Sequence, residues 1–122
     1  MSILNLTQHQ ATADQLAAGM VDLTGQDFVN LKSLLDFKTL PTQEEIYERA
    51  YAIAKMAEEN GAESVMIGGA PFFMGALERA LTKRGIKPLY AFSQRVSVEK
   101  EVDGKIVKTA EFKHMGFVEV WV

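Results

Sequence analysis

Apolar residues change spacing along this chain, and the changes mark its elements. Ile3-Leu-Asn-Leu6 is a short, nearly continuous apolar run that reads as a strand. Thr12-Ala-Asp-Gln15 follows as a capping box for a short helix through Ala18, halted by Gly19. Thr24 is placed to cap a second helix with Phe28, Leu31, Leu34 and Leu35 on one face. Thr42-Gln-Glu-Glu45, after Leu40-Pro41, is another capping box. The long helix it opens sets Ile46, Ala50, Ile53, Ala54 and Ala57 at helical spacing and stops at Asn60-Gly61. Ser64–Ile67 is a buried strand, residues 71–84 a helix and residues 88–93 another strand.

Strand, helix and strand joined by the short return Gly85-Ile-Lys87 form a βαβ unit, so those two strands should be parallel. Strands this apolar fit a sheet covered on both faces. Residues 94–102 and 105–114 flank Asp103-Gly104, the strongest two-residue hairpin signal, and residues 117–121 form a last strand. The pattern predicts an α/β fold: one Rossmann-like domain over residues 1–122. Its first three strands, Ile3–Leu6, Ser64–Ile67 and residues 88–93, run parallel, with helices on both faces and a C-terminal β-hairpin. No repeat or low-complexity linker interrupts it.

At 122 residues the chain hides enough surface to need no staples. It contains no cysteine, which removes disulfides, thiol nucleophiles and thiolate metal sites. His9 and His114 are its two histidines, and they form no H-x-x-x-H pair, so neither a metal site nor a cofactor is expected. The N-terminus lacks a signal-like run and no segment reaches the ~20 apolar residues of a membrane span, so a soluble cytoplasmic protein is expected. Net charge is −3, which argues against duplex nucleic acid as a partner. The charge is unevenly spread: residues 1–78 hold 4 basic and 11 acidic side chains, and residues 79–122 hold 9 basic and 5 acidic. A local positive region on an acidic protein suits one small anionic ligand, although ordinary scatter over solvated faces gives the same count.

Candidate chemistry gathers where strands end. Val65-Met-Ile-Gly-Gly-Ala-Pro71 is an apolar run that breaks at Gly68 and Gly69, passes Ala70 and opens a helix at proline. A helix N-terminus behind such a turn offers free amides to a phosphate. It matches neither G-x-G-x-x-G nor the P-loop lysine pattern, and a tight turn without ligand explains it equally. Ligands of open α/β sheets lie beyond the carboxyl ends of the parallel strands. Here those ends lead into Thr7, Gln8, His9 and Gln10, into Gly68, Gly69 and Ala70, and into Ser93, Gln94 and Arg95.

The hairpin adds a register. A two-residue turn at Asp103-Gly104 pairs Val102 with Lys105, Glu99 with Lys108, Arg95 with Phe112 and Ser93 with His114. Side chains repeat every two residues, so Ser93, Arg95, Phe112 and His114 share one face. A hydroxyl, a guanidinium and an imidazole thus meet at the ligand end. Each has a plainer reading: Arg95 stacking on Phe112, His114 packed on its strand, His9 capping the next helix. Tyr90, Phe92, Phe72, Phe73 and Trp121 read as core or interface.

Gly85-Ile-Lys-Pro88-Leu-Tyr90-Ala-Phe-Ser-Gln-Arg95, then Asp103-Gly104, then Phe112-Lys-His114-Met-Gly-Phe117 resemble small CRISPR-associated Rossmann-like proteins proposed as ring nucleases, relatives of CARF domains. The likeness covers the last third of the chain, with the strand-then-glycine turn at 67–69; the first 60 residues share only the layout. It implies metal-independent cleavage of a cyclic oligoadenylate, with the substrate's 2′-hydroxyl as nucleophile. Arg95 would clamp a phosphate oxygen, His114, aimed by the register at Ser93 and Arg95, or else His9 would move a proton, and the amides near Gly69 and Ala70 would cradle a neighbouring phosphate. A symmetric ring would favour a two-fold homodimer. A non-catalytic nucleotide sensor or sponge, or a partner-binding domain, uses the same residues without turnover.

Overall fold

Capping chemistry sets the helix starts. In the computed structural model, which describes residues 2–120, strand β1 (Ile3–Leu6) leads to helix α1 (Ala13–Ala17). The Thr12 side chain accepts from the Gln15 amide at 3.2 Å while the Gln15 side chain accepts from the Thr12 amide at 3.0 Å, a complete capping box. Strand β2 (Met20–Asp22) and helix α2 (Gly25–Leu35) follow. Thr24 occupies the N-cap position of α2, but its side chain makes no capping bond, contrary to the expectation.

Helix α3 (Gln43–Glu59) realises half of its predicted box. Thr42 accepts from the Glu45 amide at 3.1 Å, whereas the Glu45 carboxylate turns to Arg49 at 3.1 Å. Arg49 in turn donates to the carbonyls of Leu34 and Asp36 at 3.2 and 2.9 Å and lies over the Phe37 ring. One guanidinium therefore closes the end of α2 and ties it to α3, satisfying carbonyls that a helix terminus leaves open.

Strand β3 (Ser64–Ile67), helix α4 (Pro71–Lys83), and strands β4 (Lys87–Val102) and β5 (Lys105–Glu119) complete the chain. The sheet order is β2-β1-β3-β4-β5, with β1 parallel to β2 and β3, β3 parallel to β4, and β4 antiparallel to β5. This is the predicted α/β architecture. The chain leaves β1 toward one edge and β3 toward the other, so right-handed crossovers put α1 on one face and α2, α3 and α4 on the opposite one. Leu4, Leu6, Val65 and Ile67 pack with Leu31, Ile53, Phe73 and Leu77 on the three-helix face. Ala50, Ala54 and Ala57 keep the inner side of α3 small and fully enclosed. The other face carries Asn5, Met66 and Leu89, and there Gln15 of α1 reaches the Met66 sulfur.

Two expectations need correcting. β2 was not anticipated: three residues directly after Gly19 are too few to show a period. The strand expected at 88–93 does not end there but continues to Val102, and β5 joins the separate runs predicted at 105–114 and 117–121. A bulge makes this possible: Phe92 pairs with Gly116 and Ser93 with His114, leaving Met115 as the extra residue. Trp121, the end of the last predicted strand, lies outside the described residues.

Candidate functional site

Two loops meet where the sheet reverses direction. Residues 7–10 leave the carboxyl end of β1, and Gly68, Gly69 and Ala70 leave that of β3. β1 and β3 are neighbours in the sheet whose onward crossovers diverge, the switch point at which doubly wound sheets bind ligands. Between the loops lies a cavity of about 620 Å³, lined by Thr7, Gln8, His9, Gln10, Gly68, Gly69 and Ala70. Thr12 and Gln15 of the α1 side, Leu35 of α2, and Tyr90 and Ala91 of β4 close it. Its size lies within the range of nucleotide and cofactor pockets. A hollow of about 550 Å³ between α3 and α4, beside Tyr47 and Tyr51, is formed by helix residues without such loops.

The β1 loop is held from below by a residue that the sequence pattern passed over. Asn5 sits in β1, 3 % exposed, and its carbonyl oxygen accepts from the Thr7 amide at 2.9 Å and the Thr7 hydroxyl at 2.7 Å. Its amide group donates to the His9 carbonyl and to Asp22 Oδ1, both at 2.8 Å. Asp22, on the unanticipated β2, also accepts from the Ala11 amide at 3.1 Å. Asn5 and Asp22 thus fix both ends of residues 7–11. The signal was present: a lone amide inside an apolar strand must find partners when buried.

On the β3 side Gly69 adopts φ +153°, a conformation that side-chain-bearing residues rarely reach. A Cβ there would meet the end of Met74 at 3.4 Å. Ala70 caps α4 without a side-chain bond, and Pro71 brings no N–H to the first turn. The Phe73 amide donates to the Ala70 carbonyl at 2.9 Å, which leaves the Phe72 amide as the open donor at this helix start.

The third group of predicted residues stands elsewhere. The hairpin register is the expected one, with Arg95 opposite Phe112 and Ser93 opposite His114. Because β4 continues past the cavity, Ser93, Gln94 and Arg95 ride outward on the ribbon and do not line the cavity in one chain. Arg95 is four residues beyond Ala91 on the same face, roughly 13 Å at strand rise. His114 packs edge-on against Phe117 at 4.8 Å, and both its ring nitrogens are covered without a hydrogen-bond partner. Of the two histidines, His9 is the one at the cavity. Among the described residues no cluster of three or more His, Cys, Asp or Glu could hold a metal ion.

A sequence profile of the Uncharacterized protein MJ1673 family matches residues 1–118. The chain belongs to that family. No curated protein and no solved structure matches it. No helix among the described residues of this MJ1673-family chain is long and apolar enough to cross a membrane.

Tyr90 joins the cavity wall to α4. Its hydroxyl donates to Glu78 Oε2 at 2.5 Å. Burial, then the hydrogen bond and charge of Glu78, hold the phenol well above its ordinary range. A raised phenol contributes stability that is complete below about pH 10 and is lost as pH rises further. Tyr90→Phe is therefore expected to cost about 1 kcal/mol at neutral pH, and its deficit against wild type should close in alkaline solution. Urea titrations of both chains at neutral and alkaline pH check this; a deficit constant with pH would contradict it.

Proposed function

We propose that the switch-point cavity binds an anionic nucleotide, and that the protein opens a cyclic oligoadenylate there without a metal. The observation supporting this reading is the convergence of residues 7–10 with Gly68, Gly69 and Ala70 around one cavity. The identity of the ring comes from the resemblance carried by residues 85–117. A single nucleotide suits the cavity volume, and a ring of several must extend beyond it. The remaining phosphates then lie over the ribbon face that carries Ser93 and Arg95.

In the proposed reaction the ring's 2′-oxygen attacks the adjacent phosphorus and the P–O5′ bond breaks. A proton leaves the 2′-hydroxyl and one reaches the departing 5′-oxygen. The protein holds the attack in line, offers amides near Gly69 and Ala70 to phosphate oxygens, and places the His9 imidazole beside the reacting groups.

Calorimetry with cyclic tri-, tetra- and hexa-adenylate tests binding. Gly68 lies outside the positive-φ region that favours glycine, and a Cβ there would lie 3.5 Å from the Thr7 methyl, so Gly68→Val sets an isopropyl group between the two loops at the cavity wall. It is expected to abolish binding, and Arg95→Ala to weaken it by about 1.5–3 kcal/mol. No binding of any ring by wild type, or equal binding by Gly68→Val, would remove the reading. Binding without turnover would favour the sensor or sponge.

A further inference from the structure

Past the cavity the sheet narrows to a ribbon. From Phe92 to Phe117, β4 and β5 pair with each other and, among the described residues, with no other strand. Exposed apolar side chains crowd this ribbon: Phe92, Val102, Ile106, Val107, Phe112 and Met115, with Phe112 79 % exposed. A two-stranded ribbon alone in water is marginal, and a long edge strand is a template for another chain.

The backbone states which groups of β5 are on offer. Asp103 and Gly104 both have positive φ, +51° and +77°, as a type I′ turn requires. Its closing pair, Val102 and Lys105, is hydrogen-bonded, and the bonding alternates from there. Odd-numbered residues from Lys105 to Lys113 therefore bond inward to β4. The even-numbered ones, Phe112 among them, turn N–H and C=O outward.

We infer that β5 pairs antiparallel with β5 of a second copy of this chain, about a two-fold axis at Phe112. The charges select that axis. It sets Glu111 of each copy opposite Lys113 of the other, with the two Phe112 rings adjacent. Moving the axis one residue either way sets Glu111 against Glu111 or Lys113 against Lys113. Within its own chain Glu111 meets Lys100 at 2.7 Å, which keeps its carboxylate on the ribbon. Lys105, Lys108 and Lys113 discourage indiscriminate strand addition. An axis at Lys108 would also pair Glu111 twice, with Lys105, but would set Lys108 against Lys108, whereas the axis at Phe112 uses Glu111 twice with no like charges opposed. The pairing closes on itself, so it stops at a dimer. It also doubles the face that holds Ser93, Arg95 and His114. The inference is independent of the nucleotide reading.

Sedimentation equilibrium of the full chain tests it. Wild type is expected to dimerise. Glu111→Lys and Lys113→Glu, each alone, oppose like charges twice and should dimerise about 10-fold or more weakly. An equimolar mixture of the two makes every 111–113 pair opposite in sign and should recover wild-type association. A monomeric wild type, variants that dimerise as tightly as wild type, or a mixture no better than its components would each overturn the pairing.

Discussion

In excess EDTA the wild-type chain is expected to open a cyclic oligoadenylate at an undiminished rate, and His9→Gln to slow that step about 10²–10⁴-fold. A proton-transfer group must stand within reach of the reacting atoms, and the two histidines differ there. His9 lines the switch-point cavity on a loop whose backbone is fixed: its carbonyl accepts from the Asn5 amide at 2.8 Å, and its own amide donates to the Thr7 hydroxyl oxygen at 3.4 Å. The substitution removes the imidazole and leaves those backbone bonds in place. His114 sits on the ribbon against Phe117 with its ring nitrogens covered, so His114→Gln should slow turnover less than His9→Gln. Single-turnover rates on saturated enzyme separate this from a loss of affinity. A ring lacking the 2′-hydroxyl should not be cut; normal cleavage of it would rule out internal attack. A wild-type rate for His9→Gln would leave the protein supplying geometry and charge alone.

That ordering reverses the one the sequence suggests, and the reason lies in strand length. Alternation reports which face a side chain occupies and not how far along the strand the sheet ends. It correctly put Ser93, Arg95, Phe112 and His114 on one face, because Asp103-Gly104 fixes the register by itself. It could not show that β4 runs unbroken to Val102, since Ser93-Gln94-Arg95 looks like the polar turn that ends a strand. The parallel core was legible for the opposite reason: Ile3–Leu6 and Ser64–Ile67 are apolar, short and followed by turn residues. β2 left little trace, and with it went Asp22, whose role depends on a strand that three residues barely announce. The loops at the cavity were visible as loops. What positions one of them was not, because Asn5 in a strand reads as an interruption until its partners are known.

Asn5→Leu is expected to destabilise the chain by about 2–4 kcal/mol and to abolish nucleotide binding in the cavity. Leucine fills the volume and suits a strand, so the cost is polar rather than steric. The change removes four bonds: two from Thr7 to the Asn5 carbonyl oxygen, and two from the Asn5 amide to the His9 carbonyl and Asp22. Their partners do not vanish with them. The Thr7 amide loses its acceptor, and the Asp22 carboxylate keeps only the Ala11 amide from residues 7–11. Each group left unsatisfied retains its desolvation cost, a large fraction of the ~5–15 kcal/mol that holds a domain together. The loop can recover solvation only by moving away from β1, which takes Gln8 and His9 from the cavity wall. Asn5→Asp separates shape from charge: it keeps the acceptor for Thr7 but faces Asp22 with a second carboxylate, and should be worse at neutral pH than in mild acid. Urea titration gives the stability and calorimetry the affinity. A chain with Asn5→Leu that keeps wild-type values of both would show that the loop holds its place without this network.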